Sequence, residues 1–120
     1  MRVLIVDDSN IIRRSIQRTI GSGESPYEIR TASNGKDALR VFDEFLPEIV
    51  TMDITMPEMD GISCVDAILS RRPETRILVI SALADKATAV EAVRRGAQGF
   101  LLKPFTPESL SLELTELLKD

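Results

Sequence analysis

Short apolar runs alternate with longer stretches of helical periodicity along this chain. Residues Arg2 to Val6, Glu28 to Thr31, Glu48 to Met52, Arg76 to Ile80 and Gly99 to Leu102 read as strands. Between them, apolar residues recur at helical spacing. Ile12, Ile16, Thr19 and Ile20 form one stripe, Leu39, Phe42 and Leu46 a second, and Ile62, Val65, Ile68 and Leu69 a third, each suited to covering one sheet face. A fourth helix is predicted from Ala84 to Arg95. It is alanine-rich, carries Val90 and Val93, and ends at Gly96, a residue suited to a left-handed cap. In the fifth helix Leu110, Leu114, Leu117 and Leu118 share a face. Thr106 can cap that helix, and Pro107 sits in the first turn, where its missing N–H has no helical partner to lose. Leu112 falls off the stripe and is expected to be exposed.

Strands 1, 3 and 4 are nearly continuous hydrophobic runs, the pattern of parallel strands covered by helices on both faces. Five strand–helix repeats therefore predict an α/β fold with a parallel sheet. Right-handed crossovers leave few topologies, of which the flavodoxin-like order 2-1-3-4-5 is common for five strands. At 120 residues, with no linker, repeat or low-complexity tract, residues 1–120 are expected to form one domain.

Composition narrows the function. A hydrophobic fraction of 43% is that of a globular chain able to bury a core, which excludes intrinsic disorder. The net charge of −4 argues against a broad nucleic-acid surface, which would need clustered cations to displace phosphate counterions. Cys64 is the single cysteine, so no internal disulfide can form, and a reducing, cytoplasmic setting is expected, with the thiol acting as a small buried hydrophobe. The apolar runs are too short to span a bilayer, and Met1 to Val6 runs into Asp7 and Asp8 without a cleavage region; neither membrane insertion nor export is expected. The chain has no histidine, which removes imidazole metal sites, the usual catalytic triads and any phosphohistidine on this chain. A phosphoryl group moving here would have to be received by a carboxylate.

In an open parallel sheet the site lies beyond the carboxyl ends of the strands, at the switch point between strands 1 and 3. Strand 1 ends at Asp7 and Asp8, strand 3 at Asp53, strand 4 at Ser81 and strand 5 at Lys103, so five polar groups would converge. Taken singly each has an ordinary reading: Asp7 and Asp8 as a solvated turn and cap, Asp53 as a turn residue, Lys103 as a surface lysine. Together, carboxylates this close repel by roughly 1 kcal/mol per pair in water-like surroundings and up to about 4 in a partly buried site, so they call for a cation. Oxygen donors without His or thiolate suit Mg²⁺, and Lys103 and Ser81 would add a point charge and a hydroxyl for a phosphate. That set matches what phosphoryl transfer needs, with a carboxylate as nucleophile.

The residues Val6-Asp7-Asp8, the run Met52 to Gly61, Ser81-Ala82 and Lys103-Pro104-Phe105 closely resemble bacterial two-component receiver domains, and the resemblance spans essentially the whole chain. The order 2-1-3-4-5 is also that of chemotaxis members of this family, so the topology expectation is not independent of the resemblance. The resemblance implies that Asp53 accepts the phosphoryl group. It further implies that Asp8, Asp53 and the Thr55 carbonyl bind Mg²⁺ directly, that Asp7 acts largely through water, and that Lys103 and Ser81 contact phosphoryl oxygens. Ser81 and Phe100 would form the switch, Lys103–Pro104 would be a cis peptide, and Pro57 and Gly61 fit the turn after the acceptor. The implied function is a signalling switch rather than a turnover enzyme. It would be phosphorylated by a histidine kinase or phosphotransfer protein, lose the group slowly by itself, and relay the change through the helix 4, strand 5 and helix 5 surface to a downstream protein. Exposed candidates there are Lys86, Glu91, Arg95 and Leu112.

Thr55 and Leu83 depart from the commonest polar choices two positions after Asp53 and Ser81, and Phe100 stands where Tyr is also common. A phosphatase of the haloacid dehalogenase class would carry a second Asp where Thr55 stands. A flavodoxin-like cofactor binder would need a Ser/Thr/Gly-rich loop after strand 1. A phosphorylation-independent interaction module would not need the complete polar set. A stand-alone regulator and the input part of a longer protein fit equally.

Overall fold

Strands and α-helices alternate along the chain: β1 (Arg2–Val6), α1 (Asn10–Gly21), β2 (Glu28–Ala32), α2 (Gly35–Phe45), β3 (Ile49–Asp53), α3 (Gly61–Arg71), β4 (Arg76–Ala82), α4 (Lys86–Arg94), β5 (Gly99–Lys103) and α5 (Pro107–Leu117). The computed structural model describes residues 1–21, 27–54 and 60–119. The five strands pair in parallel, as the hydrophobic pattern predicts, and in the expected order β2-β1-β3-β4-β5. Side-chain alternation divides the core in two. Val3, Ile5, Ile49, Leu78, Ile80 and Leu101 face α1 and α5, meeting Ile16, Ile20, Leu110 and Leu117. Leu4, Val6, Val50, Met52, Ile77 and Val79 face the other way, against Phe42, Val65, Ile68 and the small Ala89 and Ala92. Among the described residues no helix is long and apolar enough to cross a membrane.

Local chemistry sets the helix ends. Asn34 caps α2 by accepting the Asp37 N–H at 2.9 Å, Asp60 caps α3 by accepting the Ser63 N–H at 2.8 Å, and Thr106 and Ser109 form a reciprocal capping box ahead of α5. Gly96 has φ 122°, the left-handed conformation expected after α4.

Two expectations are corrected. Leu46 leaves the buried stripe of α2: it is the left-handed C-cap, φ 50°, and 43% exposed, while Ala38, Val41, Phe42 and Phe45 face inward. The following Pro47 disfavours right-handed helical backbone at Leu46 and ends the helix there. The fourth helix begins later than expected, after a 3₁₀ turn at Leu83–Asp85, and it buries Ala89 and Ala92 while Val93 is exposed. Small side chains let this helix lie close to the sheet, so the inward face is the alanine face rather than the valine face. Leu110 and Leu117 are fully inward on α5, Leu114 and Leu118 half-buried, and Leu112 is exposed as expected.

Candidate functional site

The polar groups at the top of the sheet continue the apolar rows beneath them. On β1 the row Val3, Ile5 leads to Asp7; on β3 Ile49 and Thr51 lead to Asp53; on β5 Leu101 leads to Lys103. All three rows face α1 and α5, and the β1–β3 pairing sets Asp7 and Asp53 side by side. Carboxylate oxygens of Asp7, Asp8 and Asp53 lie within 4.8 Å of one another. Asp7 and Asp53 are buried, whereas Asp8, one residue beyond the strand row, is exposed at the rim.

Lys103 reaches between the buried pair, its Nζ 3.1 Å from Asp7 Oδ2 and 3.6 Å from Asp53 Oδ1. Burial pulls the Lys103 pKa down, but the negative charges of Asp7 and Asp53 beside it outweigh that cost, and the net shift is upward. Lys103 therefore stays an ammonium across the physiological range. Asp7 Oδ1 accepts the Ser9 N–H at 2.9 Å. Its Oδ2 has the ammonium beside it but no aligned hydrogen bond, a buried oxygen with capacity to spare.

The close approach of α3 completes the floor. A Cβ on Gly61 would lie 2.7 Å from Ile54 Cα and 2.8 Å from the Asp53 carbonyl oxygen, so only glycine lets α3 start this close to the end of β3. Residues 55–59, among them Thr55 and Pro57, lie outside the described residues, so the Thr55 carbonyl carries no geometry here.

Ser81 and Phe100 occupy the opposite side of the sheet. They follow the Ile77, Val79 row and pair with it, facing α3 and α4, and the buried Ser81 hydroxyl donates to the Ala82 carbonyl at 2.9 Å. Phe100 is half-buried against the same layer. The Lys103–Pro104 bond is cis, as the resemblance implies. Of the candidates expected to be exposed around α4, Lys86 and Arg95 are exposed and Glu91 is half-buried; Arg95, the residue that caps α4, is tied to Asp66 at 2.5 Å and to Glu91 at 3.2 Å, bracing α4 against α3.

Sequence reasoning passed over Arg13. Its Nη1 donates to the Asp7 carbonyl at 2.5 Å and its Nη2 to Asn10, fixing the β1–α1 turn that carries the acids. A signal was available: a cation in the first turns of a helix opposes the macrodipole and invites a search for its partner.

The donor set fits a hard divalent cation: three carboxylates, one of them with a buried oxygen that no hydrogen bond satisfies, and no nitrogen or sulfur ligand among them. A doubly wound parallel sheet with clustered acids and a lysine at its switch point is suited to holding a divalent cation and a phosphoryl group. The chain belongs to the response regulator receiver domain family, whose match covers residues 3–115. It is similar to chemotaxis protein CheY of Thermotoga maritima, 40% identical over 119 residues and spanning 98% of each chain. Among solved structures it resembles the receiver domain of NtrX from Brucella abortus, with TM-score 0.90, 33% identity and 97% of each chain covered. It also resembles chemotaxis response regulator CheY4 of Vibrio cholerae, with TM-score 0.87, 34% identity and 98% of each chain covered. Receiver domains are phosphorylated by histidine kinases or phosphotransfer proteins and generally bind Mg²⁺, and this chain is a signalling domain of that kind rather than a turnover enzyme.

Proposed function

We propose that residues 1–120 act as one phosphorylation-activated switch in which Asp53 is the acceptor. The observation that carries this reading is the convergence of the Asp7, Asp8 and Asp53 carboxylates within 4.8 Å, with the Lys103 ammonium set between two of them. A Mg²⁺ held by Asp7, Asp8 and Asp53 would supply the charge neutralisation that three carboxylates and an incoming phosphate require. An Asp53 carboxylate oxygen forms the new bond to phosphorus as the bond between phosphorus and the donor's leaving atom breaks, the leaving group departing with the bonding pair. Lys103 takes a phosphoryl oxygen, which weakens its hold on Asp7. The Ser81 hydroxyl turns from the Ala82 carbonyl to another phosphoryl oxygen. Because Ser81 and Phe100 share the sheet face under α4, that turn draws the start of α4 inward and lets Phe100 follow. The modified state then has contacts that the free state lacks, which is the condition for shifting an equilibrium.

Intact mass after incubation with acetyl phosphate and Mg²⁺ tests the acceptor: one added phosphoryl mass is expected for the parent and none for Asp53→Asn. No addition to the parent rejects the reading. Amide NMR shifts with and without beryllofluoride test the switch. Ser81→Ala and Phe100→Ala are expected to keep the changes around Asp53 and lose those in α4 and α5; full parental shifts in both variants would remove Ser81 and Phe100 from the mechanism.

A further inference from the structure

Asp8 stands at the rim of the pocket with no contact of its own to aim it: it is exposed, and among the described residues its carboxylate has neither a hydrogen bond nor an ion pair. Its two flanking peptide groups, by contrast, are both pinned. The N–H of Ser9, on the peptide after Asp8, donates to Asp7 Oδ1 at 2.9 Å, and the carbonyl of Asp7, on the peptide before it, accepts from Arg13 Nη1 at 2.5 Å. The sheet meets the Asp7 N–H with the Ala32 carbonyl at 3.1 Å, but β2 ends at that residue, and Arg13 supplies a donor where the ladder stops. Arg13 is itself held. Its N–H donates to the Ser9 carbonyl at 3.0 Å, and its Nη2 donates to Asn10 Oδ1. A guanidinium used for charge balance is best placed on a carboxylate, which its planar fork fits. Arg13 bonds the backbone of one of three converging acids, yet among the described residues it makes no ion pair, and both of its side-chain bonds go to neutral oxygens. Its contribution is therefore one of geometry.

We propose that Arg13 is a positioning residue for the acidic pocket. By tying the peptide between Asp7 and Asp8 to the first turn of α1, it holds the Asp8 carboxylate where Asp7 and Asp53 can share a divalent cation with it. Peptide planes are rigid, so a side chain goes where the dihedrals on either side of its Cα send it, and a freed Asp7–Asp8 peptide would swing Asp8 away. With no partner of its own, Asp8 would then be ordered only at the expense of cation binding. Removing Arg13 has two opposed effects on a dication. Loss of a neighbouring positive charge favours binding, whereas loss of position disfavours it, so the sign of the change separates the two. Groups that orient metal ligands without touching the metal are worth about 10–100-fold in affinity, and at an exposed rim the lower end is expected. The inference rests on these acids holding Mg²⁺ and does not rest on Asp53 being the acceptor.

Amide NMR titrations with MgCl₂ at constant ionic strength read the Mg²⁺ dissociation constant, and thermal melts in EDTA read stability apart from it. Arg13→Met keeps the apolar stem and removes charge and donors together; it is expected to weaken Mg²⁺ binding about tenfold. Arg13→Lys keeps the charge but lacks the fork that reaches the Asp7 carbonyl and Asn10 at once, and it is expected to fall between the parent and Arg13→Met. Asn10→Ala removes only the brace on Nη2 and is expected to weaken binding by less than Arg13→Met. Parental or tighter Mg²⁺ binding by Arg13→Met overturns the proposal whatever its melting temperature, because a purely structural or purely electrostatic arginine would give that result. Full parental affinity in Arg13→Lys overturns it too, since charge alone would then suffice. If Arg13→Met does not fold, Arg13→Lys and Asn10→Ala decide, and parental affinity in both rejects the role. A parent whose amide shifts ignore Mg²⁺ overturns the proposal together with the reading of the acids as a metal pocket; in the other refuting outcomes that reading stands and only the role of Arg13 falls.

Discussion

Replacing Lys103 with Met removes the ammonium between Asp7 and Asp53 while keeping most of the side chain's apolar stem. With Nζ at 3.1 and 3.6 Å from the two carboxylates, each contact is a gross attraction of about 5 kcal/mol at an effective dielectric near 20. On the same footing, carboxylate oxygens no more than 4.8 Å apart repel by about 3 kcal/mol or more per pair. The lysine thus supplies the attraction that holds the cation-free pocket together. Much of that gross energy is offset by the ammonium's own desolvation. Removing one partner of a buried pair costs roughly 3–5 kcal/mol, and with the Lys103 side chain 24% exposed the lower end, about 3 kcal/mol, is expected. For a domain of this size that lowers the melting temperature by about 12 °C in EDTA. The same change frees Asp7 Oδ2 and Asp53 Oδ1 from competition, so Mg²⁺ should bind the variant more tightly. Since ligand stabilisation grows as RT ln(1 + [L]/Kd), each Mg²⁺ concentration should raise the variant's melting temperature more than the parent's. Thermal melts in EDTA and over a MgCl₂ series measure both effects. A variant as stable as the parent in EDTA, or one that gains less from Mg²⁺, would refute the electrostatic account of the pocket.

Gly61→Ala places a Cβ 2.7 Å from one backbone atom and 2.8 Å from another, neither of which can rotate away, so α3 must shift; a loss of about 1–3 kcal/mol in urea unfolding and slower phosphorylation are expected. Leu83, 68% exposed at the start of the 3₁₀ turn after β4, offers no hydrogen bond to an attacking water. Leu83→Gln and Leu83→Glu should therefore speed loss of phosphate, and unchanged decay in both rejects that role. Burial, with Asp60 adding to it and Arg71 opposing, pushes the Cys64 thiol from 9.0 up to about 12, so native protein should resist thiol reagents at neutral pH and react once unfolded. A raised folded pKa means that the contribution is present below pH 9.0 and is lost as pH climbs toward about 12, so Cys64→Ala should flatten the alkaline fall in stability.

The elements and their order are legible in the chain because they depend on neighbours in sequence. Helical stripes, the cap at Thr106 and the left-handed glycine at Gly96 are each settled within a few residues. The acids and Lys103 could be assigned to one site because strand ends in a parallel sheet share one edge, and that rule needs only the order of the strands. Distances and facing were another matter. That Asp7, Asp53 and Lys103 stand over the α1 and α5 side while Ser81 and Phe100 stand over the α3 and α4 side follows from the pairing register of four separate strands. The inward turn of Ala89 and Ala92 in place of Val93 depends on how near α4 comes to the sheet, and the hold of Arg13 on the Asp7 carbonyl on where α1 begins. Local propensity and periodicity therefore determine which pieces form, whereas the partners of each charge depend on contacts between residues distant in sequence, which exist only once the chain is folded.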